Sequence, residues 1–331
     1  MALPSDQYWM QRSLADSTKA YNYTERKLAD LRREYERAMK TVQQRIAAWY
    51  RTYGEDGKVP VTEARKRATG KLTRQQELLA RLEKDFDRLF GTQQQLAKET
   101  LTGVYSDAYY RAVFRIQKGI GAGANFFVLT PHYVDRAIST AWSGQSYSRR
   151  IWKHQRLLAK KVRSIINQGV LLGTPEVQMS EQLAASMQST FGRAQRLIRT
   201  ETTHIYNQAT KLGYKESGIE EYQFLATLDL RTSDQCQSLD GKHFPLDEAQ
   251  PGKNYPPMHP NCRSTTIPYR AGRAAERFAR DAETGKGYYV PGNMTYDTWH
   301  KEHVLDRHGA DKVKELKKTS RQKRRTSRSK S

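Results

Sequence analysis

Residues 5–53 place apolar and aromatic side chains at helical spacing: Leu28, Leu31, Tyr35, Ala38, Met39, Val42, Ile46, Trp49 and Tyr50. A stripe with a 3.6-residue period is buried only by packing against another element, so this chain must build helical layers. Ser5 is the expected N-cap, and Gly54-Glu-Asp-Gly57 followed by Pro60 is the expected break. A second helical stretch is predicted over 61–121, pausing near Gly70 and Gly91, with Thr73 and Thr92 capping the restarts. Gly119–Gly123 closes it. No strand precedes these glycines and no Lys-Ser/Thr follows, so they do not make a phosphate-binding loop. Tyr105, Tyr109 and Tyr110 read as packing residues rather than a base-stacking platform.

An extended piece over 125–130 is followed by predicted helices over 131–142, 146–172, 175–188 and 190–216. Gly173 with Thr174-Pro175 stops one helix and starts the next. After Gly218 the texture changes. Glu221–Leu228 alternates aromatic and apolar residues in the manner of a strand, turn residues crowd 229–260, and Ser264–Tyr269 reads as a closing strand. Residues 271–294 form a polar connector rich in Arg, Ala and Gly, and short helices are predicted over 295–306 and 310–319. The last dozen residues are low in complexity and expected to be disordered. The fold class is therefore mainly α with a small α+β module. Its parts are a long helical N-terminal region (1–121), a helical middle region (122–189), the α+β module (190–270), a connector with short helices (271–319) and a disordered basic tail (320–331).

Hydrophobic residues make up 37% of the chain, little for a compact enzyme of 331 residues but enough for helical layers around a small separate core. The net charge is +22, from 57 Lys and Arg against 35 Asp and Glu. The segment from Lys312 to Ser331 holds ten Lys or Arg and one Glu, a net of +9, which leaves +13 for the rest. Such an excess calls for an anionic partner, with nucleic acid first and an acidic protein or membrane surface second. Two cysteines do not make a secreted disulfide framework. No apolar run approaches the roughly 20 residues that span a bilayer, and the N-terminus lacks a signal-peptide pattern. A reducing cytoplasm is the expected place of synthesis.

Chemistry concentrates between Arg199 and Tyr269. Cys236, His259 and Cys262 are a candidate transition-metal cluster, with two thiolates and an imidazole able to meet one zinc ion. A fourth ligand would come from His243, Asp229, Asp240 or water. Two other readings of the same residues stay open. The cysteines can be buried neighbours with no metal, with His259 hydrogen-bonded and Asp229 paired with Arg231. Cys236 and His259 can be the nucleophile and base of a thiol-dependent hydrolase, although no oxyanion-hole pattern or orienting Asn/Asp accompanies them.

The run Arg199-Thr-Glu201, Asp229-x-Arg231-Thr232, Cys236, Leu239-Asp-Gly241, Phe244, Pro256-Pro257-x-His259-Pro-x-Cys262-Arg263 resembles the phage Mu F-like head morphogenesis domain. Tyr8-Trp9-x-x-Arg12 and Met294-Thr-Tyr-Asp-Thr-Trp299 are similar to its flanking pieces. Ser233 stands where some members of that family have a further Cys, and Ser264 where many have one. The resemblance implies a minor capsid protein of a tailed phage, present in few copies and associated with the portal protein inside the head. It would assist head assembly and genome packaging or ejection, with the major capsid or scaffolding protein as further partners. Its virion location would be the capsid interior near the portal vertex, and no catalytic residue is implied. Some relatives carry an added toxin or ADP-ribosyltransferase module, for which about sixty residues after Tyr269 are too few. Double-stranded DNA is the expected counter-charge, bound without sequence preference by the tail cations Lys317, Lys318, Arg321, Lys323, Arg324, Arg325 and Arg328. A standalone basic nucleic-acid-binding protein is the alternative from another class.

Overall fold

The computed structural model describes residues 6–68, 72–120, 126–269, 277–291 and 293–329, with the side chains at 6–8, 10, 120 and 320–329 left aside. Most of the described residues are helical, which establishes the mainly α class. It opens with α1 (Asp6–Tyr53), α2 (Val61–Arg65) and α3 (Arg74–Ile120), followed by α4 (Pro131–Ser139), α5 (Tyr147–Leu172) and α6 (Glu176–Glu216). Then come β1 (Glu221–Leu225), α7 (Asp234–Leu239), β2 (His243–Pro245), β3 (Thr265–Pro268), β4 (Arg277–Arg280), β5 (Gly287–Val290) and α8 (Tyr296–Trp299). A π-helical turn (His300–Leu305) leads into α9 (Asp306–Ser329).

The expected boundaries of α1 and α5 are met closely. Ser5, Gly70 and Gly121–Gly123 lie outside the described residues. Thr73 caps α3 with Gln76 in a reciprocal box, its hydroxyl accepting from the Gln76 N–H at 3.2 Å while Gln76 Oε1 accepts from the Thr73 N–H at 2.9 Å. Gly91 does not interrupt α3, because the flanking Leu89, Phe90 and Gln93 are all buried and hold the turn in place. The break expected between 188 and 190 is also absent. Thr190 bonds its hydroxyl back to the Ser186 carbonyl at 2.9 Å, and the next residue, Phe191, packs on Tyr35 at 5.3 Å. Residues 126–130 form no regular element. Tyr105 and Tyr109 are buried packing residues, whereas Tyr110 is exposed and accepts from the Leu129 N–H.

Two compact units emerge, and neither is a single stretch of sequence. One comprises Glu25–Glu99 and Ser143–Leu197. Its helices bury Leu31, Ile46, Leu82, Phe86, Phe90, Ile151, Ile166, Leu183 and Phe191. Arg45 reaches Asp85 and Tyr35 reaches Gln93, which sets α1 and α3 antiparallel. Gly173, left-handed at φ 62°, ends α5 with the paired terminal bonds of a Schellman turn.

The other unit comprises Met1–Thr24, Thr100–Trp142 and Ile198–Ser331. An antiparallel sheet of order β2-β1-β3 lies at its centre, with Tyr222 opposite Phe244 on one side and Pro268 on the other. One core joins Trp9, Ile116, Tyr214, Tyr222, Tyr255 and Ile267. A second gathers Leu228, Ala279, Tyr296, Trp299, Val304 and Val313. Its walls include the β4–β5 hairpin, where the sequence reading has a connector. Phe278 and Tyr289 pair across that hairpin, and Asp281 closes its turn by accepting from the backbone of Glu283 and Thr284. Arg- and Gly-rich composition masks a strand this short. After a kink at Gly309 (φ 73°), the backbone of α9 is helical through Ser329, over most of the stretch expected to be disordered. Arg, Lys and Gln all favour helix, so this stretch can be helical with no apolar face to bury.

Candidate functional site

The C-terminal half of α6 is a polar rail inside the second unit. Thr200, Glu201, Thr202, His204, Asn207 and Thr210 are buried along it. Each of several hydroxyls finds a partner from a distant segment. Thr200 Oγ1 accepts from the Asn261 N–H at 3.1 Å, Thr203 donates to the Cys262 carbonyl at 2.7 Å, and Thr202 meets Thr24 at 3.1 Å. Glu201 accepts the Trp142 indole N–H at 2.9 Å, and that indole stacks on His204 at 4.3 Å. Burial pushes His204 down to about 3, so the imidazole is neutral at physiological pH. Arg199 sits half-buried at the start of this rail.

The loop after Ala249 lies along the rail. Tyr255, fully buried, donates to the Asn207 carbonyl at 2.7 Å and packs edge-on against Tyr222. A cis peptide joins Pro256 to Pro257, and Asn261 takes a left-handed φ of 60°. The bonds from the rail fix the backbone that presents His259 and Cys262.

The facing residue comes from α7. Ser233 caps that helix by accepting from the Cys236 N–H, so Cys236 sits in its first turn. The structure brings all three predicted soft ligands together. Cys236 Sγ is 3.4 Å from His259 Nε2 and 3.8 Å from Cys262 Sγ. Both thiols are buried and His259 is half-exposed. The Cys262 thiol hydrogen-bonds Cys236 and, with help from Ser233, Ser264 and the Arg263 charge, lowers it to about 6 against the opposing effect of burial. The same hydrogen bond, with burial, pushes Cys262 up.

None of the three side chains expected as a fourth ligand joins this cluster. Asp229 has both oxygens gripped by the Arg263 guanidinium, one contact at 2.8 Å, and also accepts from the Arg231 N–H and the Thr232 hydroxyl. Its partner is thus Arg263, while the Arg231 side chain is exposed. His243 stacks on Tyr269 at 4.0 Å and lies 3.6 Å from Glu221. Asp240 is held by the Ala226 and Tyr296 N–H groups and by Arg277, a residue that sequence reasoning missed because it lay in an apparent connector. Gly241 adopts φ 80° and donates its N–H to the Phe224 carbonyl, which turns the chain from α7 into β2.

Burial raises the Asp229 carboxyl, but the Arg263 hydrogen bonds and charge outweigh it and hold it below the usual carboxylate range. A depressed carboxylate contributes stability above its ordinary range and loses that contribution as pH falls through the lowered value. Asp229→Asn should therefore flatten the acid limb of the stability–pH curve, measured by denaturant unfolding. An unchanged acid limb would contradict the pairing.

A second feature escaped the sequence reading. The 40 residues between Asp135 and Glu176 contain no Asp or Glu. Within them, α5 carries Arg149, Arg150, Lys153, Arg156, Lys160, Lys161 and Arg163. Arg149, Lys153, Arg156 and Lys160 stand at spacings of four, three and four residues, which aligns them on one face over about 16 Å. Arg163, further along, pairs with Glu83, whereas these four form no ion pair among the described residues. Lys317 and Lys318 lie on α9, and the side chains of Arg321, Lys323, Arg324, Arg325 and Arg328 lie outside the described residues.

Comparison with known proteins gives three relatives and one family. Residues 160–267 match the family described as Phage Mu protein F like protein. NAD(+)--arginine ADP-ribosyltransferase EFV of Enterococcus faecalis is 24% identical over 210 residues, which is 59% of this chain and 42% of that protein. Minor head protein GP7 of Bacillus phage SPP1 is 26% identical over 247 residues, 67% of this chain and 79% of that protein. An uncharacterized protein of Haemophilus influenzae is 26% identical over 113 residues, covering 33% of this chain and 24% of its own length. The chain thus spans under half of the transferase and most of the head protein. No solved structure matches.

Proposed function

We propose that this chain, a member of the phage Mu F-like family through residues 160–267, is a minor head protein that sits at the portal inside the capsid and touches DNA there. One observation carries the reading: the match to the SPP1 minor head protein runs over 79% of that protein's length, so the likeness extends well beyond the 160–267 module. The residues of the module support a structural role. The two motif carboxylates, Asp229 and Asp240, are each bound to an arginine, Arg263 and Arg277, and neither orients His259. No helix among the described residues is long and apolar enough to cross a membrane.

The likeness to an ADP-ribosyltransferase covers 42% of that enzyme, and on the structural reading the shared portion lies outside its catalytic part. Incubated with NAD+ and an arginine acceptor, the purified chain should transfer no ADP-ribose above a buffer control. Turnover would overturn the structural reading. Conversely, the portal protein of the same phage should be retained on the immobilised chain in moderate salt; failure to retain it would contradict portal association.

DNA contact is assigned to two surfaces, each by itself: the α5 face in one unit and the α9 tail in the other. Both segments are rich in Lys and Arg, so binding should be driven by phosphate charge and be indifferent to sequence. Val313 is buried in the second core, so a tail truncation must spare it. Cutting after Thr319 removes six cations, from Arg321 to Lys330. The slope of log affinity against log salt should then become shallower by up to about 5, measured by fluorescence anisotropy on duplex DNA. An unchanged slope would remove the tail from the interface.

A further inference from the structure

We infer that Cys236, His259 and Cys262 form a zinc site with three protein ligands and a water molecule in the fourth position. Tetrahedral zinc, with bonds of about 2.3 Å to sulfur and about 2.0 Å to nitrogen, holds two sulfurs about 3.8 Å apart and sulfur and nitrogen about 3.5 Å apart. The separations here are 3.8 Å between the two Sγ atoms and 3.4 Å between Cys236 Sγ and His259 Nε2. All three donor atoms lie within 4.8 Å of one another. A disulfide would bring the sulfurs to about 2.05 Å, and it would give His259 no reason to join them.

The histidine is also prepared for a metal. His259 Nδ1 lies 3.0 Å from the Pro260 carbonyl. A carbonyl only accepts, so Nδ1 carries the proton and Nε2 turns a lone pair towards the sulfurs. This outer hydrogen bond is the arrangement that fixes the tautomer of a metal-bound imidazole. Each ligand is positioned by bonds that owe nothing to a metal. Ser233 caps the turn that bears Cys236, Thr203 holds the Cys262 carbonyl, and Thr200 holds the Asn261 N–H between the other two ligands.

The fourth position belongs to solvent because the nearby acids and the other imidazole are occupied. Asp229 serves Arg263, Asp240 serves Arg277, and His243 stacks on Tyr269. His259 is half-exposed, so water reaches this side of the cluster. Soft thiolates with one imidazole in this geometry select zinc over magnesium or calcium. The ion would tie α7 to the proline loop, two segments 23 to 26 residues apart, in a module whose sheet has only three short strands.

The test uses the full chain, purified under reducing conditions without chelator from zinc-supplied medium. Elemental analysis should find close to one zinc per chain. Both thiols should resist alkylation until a chelator is added, and the thermal midpoint should fall on chelation and recover with zinc. His259→Ala leaves both thiols and the buried core in place, so it should fold. It should hold zinc at least about 100-fold more weakly against a competing chelator, since even an outer-shell partner is worth 10- to 100-fold. His243→Ala should match the wild type. A wild-type chain that takes up no zinc from the competing chelator overturns the site, whether its thiols are free or its mass shows them joined as a disulfide. Equal zinc affinity in His259→Ala and the wild type would overturn it as well.

Discussion

Asp240→Ala should destabilise the chain by about 3–5 kcal/mol, the cost of leaving one member of a buried ion pair without its partner. Arg277 and Asp240 are both buried, at 3% and 7% exposure. The guanidinium donates to both carboxylate oxygens, at 2.7 and 2.8 Å, and spends further N–H groups on the Met294 and Ala226 carbonyls. The carboxylate in turn accepts from the backbone N–H groups of Ala226 and Tyr296 at 2.8 Å each. One pair thus joins the end of β1, the C-terminus of α7, the first strand of the hairpin and the N-terminus of α8. Removing the carboxylate orphans a buried cation and two backbone donors at once. Replacing both partners by apolar residues of similar volume, as in Asp240→Leu with Arg277→Met, should recover part of the stability, because no charge is then left unpaired. Denaturant unfolding measures both. A single-variant effect below about 1 kcal/mol, the range of exposed pairs, would contradict the burial argument.

Neutralising the α5 face should weaken DNA binding strongly. Arg149→Gln, Lys153→Gln, Arg156→Gln and Lys160→Gln together should make the salt slope shallower by about 3 to 4, close to 0.9 for each phosphate left without its cation. Affinity at low salt should fall by about 100-fold or more. Glutamine is a good helix former and the four positions lie on the outer face of the helix, so the thermal midpoint should stay near that of the wild type. If the quadruple variant binds DNA with the wild-type slope, the cations of α5 serve another purpose. This experiment differs from tail truncation in an instructive way. The tail is conspicuous in the composition, whereas the α5 face is defined by the absence of carboxylates over 40 residues.

That contrast explains much of what the sequence reveals. Helices are legible wherever apolar residues repeat, as at Leu28 to Tyr50, and the strand at Glu221–Leu225 is legible from alternation. Glycine and hydroxyl residues mislead where packing overrides local preference, at Gly91 and Thr190. The hairpin at Arg277–Val290 is hidden because a four-residue strand holds too few positions for a period to show. In the site, Cys236, His259 and Cys262 are identified by side-chain chemistry, which does not depend on geometry. Their surroundings do depend on it. Nothing in the sequence tells which of Arg231 and Arg263 pairs with Asp229, or that Asp240 belongs to Arg277 rather than to a metal, because those choices are made by tertiary packing. The threonines of the α6 rail are likewise ordinary helix residues until the proline loop arrives to bond them.

The head-protein reading is tested most directly by electron cryomicroscopy of heads from the phage that encodes this chain, reconstructed around the portal vertex with and without the chain. The account predicts additional density inside the shell, in few copies beside the portal, with the α5 face turned towards packaged DNA. Heads that lack the chain altogether, or carry it on their outer surface, would contradict it.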